Sequence, residues 1–407
     1  MFKAPTKPLN FPEFVGMLAM LFATLAFSID SMLPAIPQIA QEMTPDDVNR
    51  AQLIITSFVL GMGIGTFFAG PLSDWFGRKI TVAVGLGIYM LASLYAAGTN
   101  DMEHLLASRF VMGLGASAPR VVSLAMVRDL YKGREMARIM SFVMTVFILV
   151  PAMAPSIGAV IIAYSSWRGV FVAFVFFALF SGGWLMLRQP ETLDKANRRP
   201  LRLSAIRYAL GEVLGNRVVV MYIAALSLGF GQMFSFISSA PQLFTDTYER
   251  GDTFPIWFAG VAAFAAIASF TNARLVMTLG MRLLSTTALG VQCAASIVAM
   301  ILLESGMIAP EYQFYVFVGY MAISFFMIGL VFGNINALAM EPLGHVAGFA
   351  AAIIGAISTV LAVLIAVPVG YSYDGTPMPL LIGVALCSGF AYLIMRISRR
   401  YKAIATV

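Results

Sequence analysis

One acid, Asp30, sits well inside an otherwise apolar run, residues 14–38 of a 407-residue chain. An ionised carboxylate is costly in hydrocarbon, so an acid in such a run usually faces a wet cavity and carries protons or ions. The alternative is an acid that only pins a neighbouring helix. A later run, 104–127, holds two arginines. Arg109 lies near one end of it, at a depth close to that of Asp30, and reads as its partner, directly or through water. It could instead snorkel to the interface. Arg120 follows Pro119, about 16 Å deeper at helical rise. Its charge is permanent and needs compensation, either from a bound carboxylate or carbonyl or from backbone carbonyls near Pro119. Polar residues on other apolar runs are Gln52, Thr56, Gln232, Ser235, Asn334 and Asn336. They are candidates to line a cavity, with Phe236 as part of its apolar wall. Taken singly, each also fits an interhelical hydrogen bond.

The elements that must position these residues are membrane spans. The chain is 60% hydrophobic and 11% charged, with a mean hydropathy of +0.86, whereas soluble domains run nearer a quarter charged. Runs long enough to cross a bilayer occur at 14–38, 49–71, 80–98, 104–127, 138–162 and 167–187. They resume at 217–241, 254–274, 282–303, 311–338, 345–370 and 377–396. The expected architecture is therefore an all-α polytopic membrane protein. Its twelve transmembrane helices form a first bundle over 1–187 and a second over 217–407, joined by a linker over 188–216 with one short amphipathic stretch. The apolar run that follows the basic amino terminus is too long for a signal core and lacks a small-residue cleavage site, so it reads as the first span.

Charge sets the orientation. Of the 26 lysines and arginines, only Arg50, Arg168 and Arg250 fall in loops on one side, among acids such as Asp46, Asp47, Asp246 and Asp252. Arg109 and Arg120 lie within a span, and the rest fall on the opposite side, which by the positive-inside rule is the cytoplasm. Both termini are expected there. The net charge of +6 belongs to these flanking loops and speaks for anionic lipid, not nucleic acid. Cys293 and Cys387 lie in apolar runs, and His104 and His345 lie far apart, so no metal site or disulfide framework is expected. There is no nucleophile–base pair or phosphate loop, and no enzyme is expected.

Between the second and third spans runs Gly70-Pro71-Leu72-Ser73-Asp74-Trp75-Phe76-Gly77-Arg78-Lys79. It resembles the loop signature of the major facilitator superfamily, G-x-L-[AS]-D-x-x-G-R-[KR], with Trp75 where arginine is common. Gly70 and Gly77 allow a tight turn and close approach. The resemblance implies a conformational latch in which Asp74 faces the start of the eleventh span, Pro342–His345, and Arg78 pairs with Asp129. A weaker copy over Asn272–Arg282 sets Gly280 in the place of Gly77 and Arg282 in that of Lys79, as two parallel six-helix repeats would leave.

Three stretches resemble the bicyclomycin-resistance branch of the drug:proton antiporters: Asp30–Pro37, Ala125–Tyr131 and Pro342–Ala351. Ala154-Pro155-Ser156-Ile157-Gly158 resembles a shortened antiporter signature, with alanines at 154 and 159. Pro155 there removes a backbone donor and Gly158 permits close packing. In the fourth span Arg109, followed by Gly113, matches the superfamily's basic residue. The resemblance implies a monomeric proton-coupled exporter of a drug or metabolite in a bacterial inner membrane. Asp30 and Arg109 would couple the proton gradient, which replaces any cofactor. The alternative is an importer or facilitator of a small polar nutrient or osmolyte on the same fold.

Overall fold

In the computed structural model residues 9–402, other than Arg199 and Arg202, are described, and they form helices joined by short turns with no strand. The basic amino-terminal residues 1–8, expected to be cytoplasmic, lie outside them. The first half of the chain gives α1 (Phe11–Asp30), α2 (Ile36–Met43), α3 (Leu53–Phe76), α4 (Arg78–Gly98), α5 (Met102–Leu130), α6 (Gly133–Tyr164) and α7 (Trp167–Arg188). Between the halves lies α8 (Leu203–Gly215), most of which falls in the second compact unit. The second half gives α9 (Arg217–Gln242), α10 (Phe254–Leu279), α11 (Met281–Glu304), α12 (Pro310–Gly329), α13 (Phe332–Met340), α14 (Ala347–Tyr371) and α15 (Met378–Lys402). Ten helical stretches among the described residues are long and apolar enough to cross a membrane, and one of them, Pro310–Tyr371, runs two expected spans together.

The first expected span is broken after Asp30. Pro34 has no N–H to give the Asp30 carbonyl, and Pro37 has none to give Leu33. The chain passes through a 3-10 turn over Leu33–Ala35 before α2 begins. Asp30 is thus the last residue of α1 and not a mid-helix residue.

The chain divides into two compact units. One holds the chain up to Pro45 and Ser57–Ala205, and the other holds Asp46–Thr56 and the chain from Ile206. In the first, close packing rests on residues without side chains. A Cβ at Gly85 would meet Ala118 and the Gly115 carbonyl, and one at Gly113 would meet the Phe58 carbonyl. In the second, α9 packs along α14 and α15, and a Cβ at Gly231 would press into Ile365.

The internal repeat is written in the backbone. Gly77 joins α3 to α4 at φ +106° and ψ 158°, and Gly280 joins α10 to α11 at φ +76° and ψ 154°. Side chains seldom tolerate this region. A Cβ at Gly280 meets open space, whereas one at Gly77 would lie 2.8 Å from both Arg198 Nη2 and Glu191 Oε2. Gly77→Ala is therefore expected to lower the thermal midpoint of the purified protein by more than Gly280→Ala, which carries backbone strain alone. Equal losses would show that the contacts at Gly77 contribute nothing.

Candidate functional site

Asp30 is 5% exposed and Arg109 is fully buried. Arg109 reaches from α5 to the end of α1, where Nη2 donates to the Ser28 carbonyl at 3.1 Å. That carbonyl belongs to the last turn, whose acceptors lack helical donors and favour a cation. The guanidinium also lies over the Phe58 ring, 4.4 Å from its centroid. The Ser28 hydroxyl bonds the Tyr89 hydroxyl at 2.5 Å. Arg109 therefore holds the backbone two residues before Asp30. On the other side of this corner α6 closes in at Gly158, where a Cβ would collide with the Ser31 carbonyl. The antiporter-like glycine and the buried acid thus meet at one place. Pro155 lies one turn earlier in α6.

At the α3–α4 junction Arg78, only 7% exposed, is a hub. Nη1 donates to Asp74 Oδ1 at 2.5 Å and to Ser73 Oγ at 2.7 Å. Nε and Nη2 reach the two carboxylate oxygens of Asp129 at 2.9 and 3.2 Å, the paired geometry that guanidinium suits. The expected Arg78–Asp129 pair is formed, and Asp74 bonds to the same arginine. Pro342–His345 belongs to the second unit, where His345 pairs with Glu212 at 3.3 Å.

Sequence reasoning missed Glu191. Its carboxylate accepts from the backbone N–H groups of Arg78 and Lys79 at 3.0 and 3.1 Å. Those are first-turn donors of α4 that no helix bond satisfies. It also accepts from Thr192 and Leu193, and the Thr192 hydroxyl donates to Asp129 at 2.9 Å. Lys79 Nζ donates to the Met186 carbonyl. Gly70 has only the Val121 side chain within van der Waals reach of a Cβ.

The remaining candidates are scattered. Arg120 is half-buried and makes no hydrogen bond or ion pair among the described residues. In the second unit Gln52 is bonded to Gln242, Ser239 and the Gly370 carbonyl, while the Thr56 hydroxyl turns back to Leu53. Ser235 bonds its own helix at Gly231, and Phe236 packs on Tyr320 and Phe325. Asn334 Nδ2 donates to Asn272 Oδ1 at 2.7 Å and to the Leu330 carbonyl at the α12–α13 break. Asn336 is exposed, away from that pair.

Buried charge placed on membrane-length helices, with an arginine-centred ion-pair network where two of them join, is the arrangement of a membrane transporter. The chain belongs to the Major Facilitator Superfamily, whose family profile matches residues 16–367. It is 29% identical over 397 residues to a bicyclomycin resistance protein homolog of Haemophilus influenzae, covering 96% of each chain. It is 30% identical to the uncharacterized MFS-type transporter YdgK of Bacillus subtilis, covering 90% of this chain and 89% of that one. The crystal structure of a D-xylose-proton symporter shares the fold, with a TM-score of 0.74 at 15% identity over 94% of this chain and 97% of that one.

Proposed function

We propose that this chain is a proton-coupled exporter of a drug or metabolite, working by alternating access with Asp30 as the proton carrier. The reading includes twelve spans in two six-helix bundles, 1–187 and 217–407, with the linker 188–216 and both termini in the cytoplasm of a bacterial inner membrane. The observation that carries it is the setting of Asp30, a buried acid at a helix end fixed by Arg109 and approached by Gly158. Antiport is favoured by the relative named for bicyclomycin resistance. Arg120, half-buried and making no hydrogen bond or ion pair among the described residues, supports a substrate that offers a carboxylate or carbonyl. The proton-coupled importer stays as a second reading, because alanine replaces glycine at positions 154 and 159 of the antiporter-like motif and Asp30 serves either direction.

Reconstitution decides between them. In proteoliposomes, a proton gradient directed into the vesicle drives substrate out under antiport and in under symport, screened over a panel of drugs and metabolites. Flux that ignores collapse of the gradient by an uncoupler would overturn proton coupling. For topology, a single cysteine at position 250, with Cys293 and Cys387 replaced by serine, is expected to react with an impermeant maleimide in intact cells. One at position 198 is expected to react only after permeabilisation, and the reverse pattern overturns the orientation.

A further inference from the structure

Helix α9 carries Gln232, Ser235, Ser239 and Gln242, a spacing that places all four within about 80° of its circumference at helical periodicity. All four are buried, at 1, 1, 3 and 5% exposure. The two nearer the helix end are fully engaged. Ser239 Oγ donates to Gln52 Oε1 at 3.0 Å, and Gln52 Nε2 donates to Gln242 Oε1 at 2.7 Å and to the Gly370 carbonyl at 3.2 Å. Gln242 Nε2 donates in turn to Asn49 Oδ1 at 2.9 Å. Gln52 and Asn49 lie on Asp46–Thr56, the segment that folds into this unit. A primary amide of the chain itself is therefore seated on the stripe with its donor and its acceptor both matched.

The other two positions are not matched in this way. Gln232 Oε1 is buried and accepts no hydrogen bond among the described residues, a costly condition for a polar atom. Ser235 Oγ spends its proton on the Gly231 carbonyl at 2.9 Å and keeps its lone pairs. The packed neighbours carry charge only near their ends: α9 beyond Arg217, α13 and α14 contain no Asp, Glu, Lys or Arg, α15 has its charges only from Arg396 onward, and α12 has only Glu311, in its first turn. An ion placed there would lose its hydration with no counter-charge, whereas a neutral amide would lose far less and find both hydrogen-bond partners. Phe236, next to Gln232 around the helix, adds an apolar wall with Tyr320 and Phe325, at ring-centroid distances of 5.6 and 5.7 Å.

We propose that Gln232 and Ser235 form a subsite for a neutral amide, whose N–H is accepted by Gln232 Oε1 and whose carbonyl is met by the same carboxamide's NH2. This deepens the transporter reading, on which it rests, by narrowing the carboxylate or carbonyl read from Arg120 to the carbonyl of neutral, amide-bearing molecules with an aromatic or other apolar group.

The test is equilibrium binding to the full-length protein in nanodiscs, by calorimetry and without any gradient. Three probes share a phenyl ring: N-acetylphenylalaninamide (neutral), N-acetylphenylalaninate (anionic) and phenethyltrimethylammonium (cationic). The neutral probe is expected to bind at least 10-fold more tightly than either ion, a comparison that needs no variant. Gln232→Leu is expected to weaken the neutral probe about 10-fold and leave the ions unchanged, and Ser235→Ala, the gentler change, to weaken it by a smaller factor. An ion that binds as well as the amide, no binding by any probe, or unchanged amide binding in a folded Gln232→Leu protein overturns the subsite. Absent proton-driven flux would overturn the transporter reading instead, and it leaves these binding ratios intact.

Discussion

Proteoliposomes carrying Asp30→Asn are expected to lose pH-driven substrate movement down to the background leak while keeping gradient-free counterflow. The substitution is nearly isosteric, and it removes only the ability to exchange a proton. The local fold does not depend on that carboxylate. Arg109 is anchored on the Ser28 carbonyl, the helix end is set by Pro34 and Pro37, and Gly158 packs on the Ser31 carbonyl, all through backbone. A neutral side chain in a buried place also removes a desolvation cost, so thermal stability should hold or rise. The measurement is substrate flux with and without an imposed pH gradient, alongside exchange at equal pH. Accumulation or export against a gradient by the variant would place the proton path on another group. Loss of both modes together with a lowered thermal midpoint would make Asp30 a structural acid instead.

What could be read from the sequence follows the range of the interactions. The ten residues Gly70–Lys79 announced their turn, because a tight junction between two helices is a local problem and glycine solves it locally. The same logic made Gly280 visible and put it in the same backbone region. Asp30 was legible as a buried acid, and its place at a helix end is a local consequence of Pro34, which has no N–H for the carbonyl four residues earlier. Arg109 was legible as a buried cation near Asp30's depth. The Ser28 acceptor it meets is a backbone carbonyl, which no side-chain pattern reveals. Glu191 had no signal at all, since a carboxylate capping a helix 113 residues away leaves no trace in spacing. The break between α12 and α13 at Leu330–Val331 has no proline to mark it. It shows only afterwards, in the Leu330 carbonyl taken by Asn334. Gln232 and Gln52 looked alike as isolated amides in apolar runs, and only packing makes one satisfied and the other not.

The second large effect is expected at Arg78. Its guanidinium holds Asp129 by two bonds and Asp74 by one, with side-chain exposures of 7% for Arg78 and 17% for Asp129. Removing one member of a fully buried pair typically costs about 3–5 kcal/mol, because the partner is left without its counter-charge; this pair is part-buried on the Asp129 side, so its loss should fall below that range. Arg78→Ala should therefore lower both the thermal midpoint and the transport rate sharply, and Asp129→Ala should do the same. Asp74, 42% exposed, can be rehydrated, so Asp74→Asn should cost less than either. Arg78→Lys keeps the charge but cannot reach three carboxylate oxygens from one planar group, and should recover only part of the loss. The decisive variant carries Arg78→Ala and Asp129→Ala together. With both charges gone only Asp74 loses its counter-charge, and at 42% exposure it can be rehydrated, so the double variant should be more stable than the sum of the two losses predicts, by between about 0.5 and 3 kcal/mol. Thermal unfolding and initial rates on the same preparations measure it. Additive losses, or a fully active Arg78→Lys protein, would mean that the pair is an incidental surface contact, and that the junction is held instead by the Glu191 carboxylate gripping the backbone of α4.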